Sequence, residues 1–365
     1  MVKVLHFLGT LNMGGAETMI MNIYRTIDRQ QVTFDFVVQG KETGYYEREA
    51  TTFGAKIYHV PKRSKSIFGY LKAIYSVIKT NKYSIVHFHT QNAFFTVLDM
   101  VCARLAGTNK IIVHSHNTND WRGKYARTLH MLFRPFIFCM ADKRLACGNA
   151  AANWLYGTEK NVEIIPLPVR TQKFVYTSEK QNELKIYENL LKNQVFVHVG
   201  RFWSQKNHIF LIEIFEAIHK IDKTAVLILI GEGELKSSIE KLVNEKGLLN
   251  SVIFYGNIPN VWDKLIMADA FILPSLYEGF PTVVLEAQAA GLPCYISDSV
   301  TSLICETDLV KMISLEESPE TWAKIIVCSK KKKQREKYNE IIKQKYDVEI
   351  VTNKLTQIYF NLNQD

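Results

Sequence analysis

The sequence predicts an α/β protein made of two doubly wound domains in tandem. Three observations carry this. Short apolar runs alternate with longer amphipathic segments along nearly the whole chain. Several of the runs are continuously apolar, as strands covered on both faces tend to be. A polar stretch, Thr171 to Asn193, divides the runs into two series. At roughly 100–200 residues per domain, 365 residues fit two domains. Hydrophobic residues make up 47% and charged residues 22%, which excludes fibrous and largely disordered architectures.

Taken in order, the first series of strands is Val2–Leu8, Val32–Val38, Ala55–Val60, Ile85–Phe88, Lys110–His114, Lys143–Ala146 and Val162–Ile165. The second is Val195–Val199, Ala225–Ile230, Val252–Tyr255, Ala270–Leu273 and Pro293–Ile296. Helical patterns lie between them. Leu211, Ile214, Phe215 and Ile218, for example, mark one helix face. The expected domains are residues 1–170 and 171–345, with Thr171–Asn193 a linker plus a short helix. A terminal helix, 346–365, packs back toward the first domain. In open α/β sheets ligands bind beyond the carboxyl ends of the strands, so two such domains are expected to face a cleft.

No stretch approaches the ~20 apolar residues of a membrane span, and the start reads as a buried strand rather than a signal peptide. Met131–Ala141, the most apolar segment, is interrupted by Arg134 and Pro135. Six cysteines form no CxxC pair and mostly sit in apolar runs. They are expected to be reduced core thiols in a cytoplasmic protein, without a metal.

The charge is lopsided. Met1–Arg170 carries 22 Lys and Arg against 11 Asp and Glu, a net of +11, and the remainder carries 23 against 25, a net of −2. The first domain should therefore meet an anionic partner: nucleic acid, a membrane surface or a phosphorylated substrate. The short run Lys330–Lys333 reads as a solvated helix face.

Three strand-end segments suit the binding of a phosphorylated ligand. Gly14 and Gly15 follow the first strand and precede an amphipathic helix, where backbone N–H groups can approach a phosphate. The spacing is not that of the GxGxxG dinucleotide fingerprint. After the strand Val195–Val199 come Gly200, Arg201, Lys206 and Asn207, two cations beside a helix start and suited to a diphosphate. After Ala270–Leu273 comes Glu278-Gly279-Phe280-Pro281-Thr282, with Glu286 farther on. Pro281 suits a first helical turn. Glu286 lies among Val283, Val284, Leu285 and Ala287, an apolar setting in which a carboxylate needs a partner.

On these residues the chain resembles glycosyltransferases of family 4, especially bacterial enzymes that build exopolysaccharide and capsule. The resemblance runs through Gly14-Gly15-Ala-Glu17, Gly200-Arg201 with Lys206-Asn207, Gly231-Glu-Gly233, and Ala268-Asp269 through Glu286, which holds the E-x7-E pattern. It implies two Rossmann-like domains in the GT-B arrangement and transfer of a sugar from a nucleotide-sugar, with uridine as the base. It also implies retention of anomeric configuration, no metal and no cofactor. Arg201 and Lys206 would hold the leaving diphosphate and Glu286 the ribose hydroxyls. Glu278, with the segment Gly279 to Thr282, would contact the donor sugar and distal phosphate. Gly14 and Gly15 would close on the phosphates.

Two histidine pairs end neighbouring strands, His87 with His89 and His114 with His116, each pair on one face. They raise a metal site, but no carboxylate cluster completes one and none is expected. In the family a histidine at such a strand end faces the sugar and acceptor; His116 matches best, ahead of His89. One departure stands out. Where the family reads Pro-Asn-Gly, a hydrophobic residue and Asp, this chain reads Pro166-Leu167-Pro168-Val169-Arg170, so no role transfers to that loop.

The acceptor expected from the resemblance is a polyprenyl-diphosphate-linked glycan. Two clusters mixing cations and aromatics, Trp121–Phe138 and Lys62–Tyr70, suggest that the basic domain rests on the anionic inner face of the cell membrane. No RNP, zinc-finger or helix-turn-helix signature supports nucleic acid. The competing readings are a non-hydrolysing nucleotide-sugar epimerase, which shares the fold, and a non-catalytic assembly partner.

Overall fold

The computed structural model describes residues 1–90, 92–117, 123–329 and 334–364. Trp121 and Arg122 of the first cluster and the run Lys330–Lys333 lie outside the described residues. The chain forms two compact units, Met1–Pro168 with Val348–Asp365, and Val169–Asp347.

Unit 1 is built on seven strands: β1 (Val2–Phe7), β2 (Val32–Gln39), β3 (Ile57–Val60), β4 (Ile85–Thr90), β5 (Lys110–Ser115), β6 (Lys143–Ala146) and β7 (Glu163–Ile164). They run in the order β3-β2-β1-β4-β5-β6-β7 and all pair parallel. The order reverses between β1 and β4, which creates a crevice at their carboxyl ends. Leu5, Val86 and Val113 meet the helix residues Ile74, Met100 and Ile137 on one face. On the other, the helix Val348–Gln364 lies against the helix Gly15–Thr26 and against β1 and β4. Its Tyr359 is fully buried.

Unit 2 holds β8 (Gln194–Val199), β9 (Ala225–Ile230), β10 (Val252–Gly256), β11 (Ala270–Leu273), β12 (Cys294–Ser297) and β13 (Val310–Ile313). The order is β10-β9-β8-β11-β12-β13, again parallel. Each of the six residues of β9 is buried, the two-sided covering that its apolar run predicts. The strand β13 is absent from the sequence reading. It is a short edge strand of mixed burial, so no continuous apolar run marks it.

The polar stretch between the two series is organised as expected, a connecting segment with a short helix. It holds a helix, Ser178–Tyr187, whose start is capped by Thr177, and its Lys185 is buried against Asp269 at 2.7 Å. Pro166, Leu167 and Pro168 are buried, and the Val169 amide donates to the Tyr346 carbonyl at 2.7 Å. The segment Met131–Ala141 is mostly helix: Lys124–Met140 continues through Pro135. The cysteines depart from the expectation of core thiols. Cys102 and Cys294 are buried, but Cys139 and Cys328 are exposed, because they fall on the outer sides of their helices.

Candidate active site

In unit 2 the chain after β8 makes a 3-10 turn, Ser204–Lys206, and Asn207 adopts a left-handed conformation before the helix His208–Ile221 begins. Asn tolerates that conformation better than most residues. The turn aims Lys206 at the loop after β11. Lys206 Nζ lies 2.5 Å from Glu278 Oε1, although 72 residues separate them. The Glu278 carboxylate also accepts from Ser275 Oγ at 2.9 Å and Gln205 Nε2 at 3.2 Å. The Leu276 amide donates to the Gln205 carbonyl at 2.8 Å, which ties the two loops together. The lysine and glutamate side chains are only 16% and 9% exposed, so a nearly dry pair is held in place by neutral donors.

Backbone packing explains the glycines here. Gly231, at φ 142°, lies against the Gly200 carbonyl, where a Cβ would collide. A Cβ on Gly200 would come within 2.9 Å of Lys206 Cε. The Phe202 amide donates to Glu232 O at 3.1 Å. The loops after β8 and β9 are thus laid backbone on backbone, and the Lys206 stem crosses Gly200. Arg201 is exposed, with its guanidinium 5.0 Å from the Trp203 ring centre.

Glu286 lies on the helix Thr282–Ala289, which opens after Pro281. It is half-buried, and among the described residues no side chain or amide donates to its carboxylate. Its apolar surroundings push its pKa up to about 7. Gly279 is exposed, and Phe280 and Thr282 are half-buried beside it.

Unit 1 presents a different chemistry at its strand ends. His6, His87, His89 and His114, on β1, β4 and β5, share one face with His116, which follows β5. The register sets His6 beside His87 and His89 beside His114. His6 Nδ1 is 3.0 Å from His89 Nε2, and His89 Nδ1 is 2.9 Å from His116 Nε2. His87 Nδ1 is 2.9 Å from the Tyr359 hydroxyl. Burial lowers all five pKa values, those of His6 and His116 to about 3, so the imidazoles are neutral. Their nitrogens cluster closely enough to be weighed as metal ligands. The ring geometry favours hydrogen bonds instead. For His6–His89 and His89–His116 the ring centres are 5.3 and 5.1 Å apart, only about two ring radii more than the N···N distances. Each pair therefore points nitrogen at nitrogen along one line, leaving no common point for an ion. Sequence reasoning saw two histidine pairs. It missed His6 and Tyr359, whose signal was a histidine inside an apolar strand and a tyrosine on an amphipathic tail.

A cavity of about 390 Å³ opens beside this array at the carboxyl ends of β1 and β4, lined by Gly9, Arg63, His89, Thr90 and Asp99 among others. Arg63 pairs with buried Asp99 and with Tyr70. This corrects the expected surface cluster Lys62–Tyr70. Tyr70 is 1% exposed and Arg63 points inward, whereas Phe68 is 84% exposed. Gly14 caps the helix Gly15–Thr26 in an extended conformation, and the Glu17 carboxylate folds over its Cα. A phosphate reaching those amides would have to displace that carboxylate.

Comparison with known proteins gives the family and the fold. The family model described as glycosyl transferases group 1 matches residues 179–346, and that of glycosyltransferase family 4 matches residues 13–173. A glycosyltransferase named EpsF from Bacillus subtilis is 34% identical, over 89% of this chain and 86% of its own. An Escherichia coli UDP-Gal:alpha-D-GlcNAc-diphosphoundecaprenol alpha-1,3-galactosyltransferase is 27% identical, over 81% of this chain and 79% of its own. The Staphylococcus aureus capsular polysaccharide biosynthesis glycosyltransferase CapH is 25% identical, over 99% of both. The crystal structure of Anabaena HepE in complex with UDP shares the fold at a TM-score of 0.79 and 15% identity, covering 99% of this chain and 100% of that one. The chain belongs to glycosyltransferase family 4, with the GT-B fold, and is an enzyme of glycosyl transfer.

Proposed function

We infer that this enzyme moves a sugar, with retention of anomeric configuration, from a UDP-sugar to a polyprenyl-diphosphate-linked glycan in exopolysaccharide or capsule synthesis. The observation that carries the reading is the dry Lys206–Glu278 pair at the carboxyl ends of β8 and β11, with Arg201 on the loop after β8 and Glu286 on the helix that follows the loop after β11. A diphosphate binding there takes Lys206 Nζ as a counter-ion and frees Glu278 to accept from sugar hydroxyls. Two cations can neutralise the leaving diphosphate without a metal ion. Glu286, short of donors, is matched by the paired hydroxyls of a ribose. The Escherichia coli relative's name, with its UDP-sugar and diphosphate lipid, supports the donor and acceptor classes. CapH supports the capsule role.

The acceptor class also agrees with the surface of unit 1. On the helix Lys124–Met140 the exposed apolar residues Tyr125, Leu129, Leu132 and Phe136 recur at helical spacing, 90%, 42%, 62% and 53% exposed. In the basic half of the chain, where Met1–Arg170 carries a net of +11, such a stripe suits the interface of an anionic membrane. Among the described residues no helix is long and apolar enough to cross one. A peripheral position on the inner face follows from this reading.

The test is a panel of nucleotide-sugars assayed for transfer to a lipid-linked acceptor, with the product's anomeric configuration read by NMR. Transfer from a UDP-sugar with retention is expected. Turnover of a UDP-sugar to its epimer without acceptor would replace this reading with the epimerase.

A further inference from the structure

The loop after β8 sets an arginine beside an exposed tryptophan. Phe202, between them, is 1% exposed and stacks on His208 with 4.3 Å between ring centres. Its amide donates to Glu232 O at 3.1 Å, and its carbonyl accepts from the Leu235 amide at 3.0 Å. Gly233 lies so close that a Cβ there would meet the Phe202 carbonyl at 2.6 Å. Phe202 is thus fixed through both its ring and its backbone. The Trp203 amide donates to the Arg201 carbonyl at 2.7 Å, which closes a three-residue turn about Phe202. The middle side chain goes inward and its two neighbours go out together. Arg201 is exposed, and Trp203 is 45% exposed and belongs to neither hydrophobic core of the unit 2 sheet. The guanidinium carbon stands 5.0 Å from the centre of the Trp203 ring.

An exposed arginine on a loop loses rotamer entropy when an anion fixes it. Stacking on a ring removes part of that loss beforehand. It engages the face of the guanidinium and uses none of its N–H donors, which keeps the fork for bidentate bonds to phosphate oxygens. Lys206, by contrast, is held by Glu278, whose carboxylate a ligand must replace. We propose that Trp203 is a positioning residue, its ring pre-orienting Arg201 for the diphosphate of the nucleotide-sugar. The part played at the diphosphate rests on the glycosyl-transfer reading; the stacking does not.

The experiment is a double-mutant cycle on the full chain, with UDP affinity read by calorimetry. Trp203→Ala should weaken UDP binding about two- to fivefold, the worth of one cation–π contact. Trp203→Phe keeps a ring and should recover most of the loss. In an Arg201→Ala background, Trp203→Ala should change nothing further, because Trp203 acts only through the arginine. Wild-type affinity in Trp203→Ala overturns the proposal. So does an equal loss with and without Arg201, which would give Trp203 a ligand contact or a structural role of its own. Side-chain relaxation NMR on the 15N-arginine-labelled chain, without ligand, reads the stacking by itself. The Arg201 Nε–H should be ordered in the wild type and in Trp203→Phe, and mobile in Trp203→Ala. Equal mobility in all three overturns the stacking. An ordered Arg201 in a chain that neither binds UDP nor turns over any nucleotide-sugar leaves the stacking in place and removes the proposed function, with the part at the diphosphate.

Discussion

At the carboxyl ends of their strands the two units gather different titratable side chains. Unit 1 gathers five histidines, three of them fully buried, and keeps them neutral. Unit 2 sets Lys206 against Glu278 there, beside the buried neutral histidines His198 and His208, and pairs Lys185 with Asp269 and Lys264 with Glu188 away from those ends. The same parallel sheet supports both. A neutral, directional donor suits hydroxyl groups, whereas a nearly dry cation suits a phosphate. The overall charge points the other way, since the strongly basic half is unit 1. Bulk charge and site charge are therefore separate features. On the proposed reading the first faces a membrane and the second holds the nucleotide.

Four variants would break or sharpen that contrast. The largest effect is expected from Lys206→Ala, which should lower turnover about 10²- to 10³-fold, as removing a leaving-group stabiliser does. A circular-dichroism melt should accompany the assay, because the variant leaves Glu278 buried without its cation. Next, Leu132→Glu with Phe136→Glu should weaken flotation with anionic liposomes about 100-fold, taking about 1.5 kcal/mol for each apolar side chain withdrawn from the interface. Lipid binding equal to wild type would assign that stripe another partner.

Glu286→Gln should cost about tenfold in UDP affinity, the loss of charged hydrogen bonds to ribose. It should also be pH-dependent. The Glu286 pKa is raised to about 7, so the folded state holds this proton more tightly than the unfolded chain does. The ionised carboxylate therefore destabilises the fold progressively from the ordinary carboxylate range up to about pH 7, and fully above it. The Gln variant should accordingly melt higher than wild type at pH 8 and equally at pH 4. Bound hydroxyls favour the carboxylate, so wild-type UDP affinity should be full above about pH 7 and decline as the pH falls below it. The smallest effect belongs to Ser275→Ala. It removes one neutral donor from Glu278 and should cost about 1 kcal/mol in stability or up to tenfold in KM.

Most strands were legible because buried parallel strands write continuous apolar runs, as Ala225–Ile230 does. The edge strand Val310–Ile313 writes none. Arg201, Lys206, Glu278 and Glu286 were legible as residue types at strand ends. That Lys206 meets Glu278 was not, because 72 residues intervene and only the shared sheet brings them together. Ser275 and Gln205, which hold the glutamate, look like ordinary loop residues. The histidine row was half legible: strand alternation pairs His87 with His89, but the register that adds His6 comes from β1 lying beside β4. The cluster Lys62–Tyr70 misled because composition does not show which cations turn inward. Arg63 does so because Asp99, on a helix 36 residues away, is buried beneath it.

The most direct test is a calorimetric titration of UDP into the full chain, into Lys206→Ala and into His116→Phe. One UDP should bind the wild type and His116→Phe with similar affinity, and Lys206→Ala at least about tenfold more weakly, the worth of a charge-assisted hydrogen bond. Loss of UDP binding in His116→Phe with full affinity in Lys206→Ala would contradict the account, because it would place the diphosphate on the unit whose strand ends carry the histidine array.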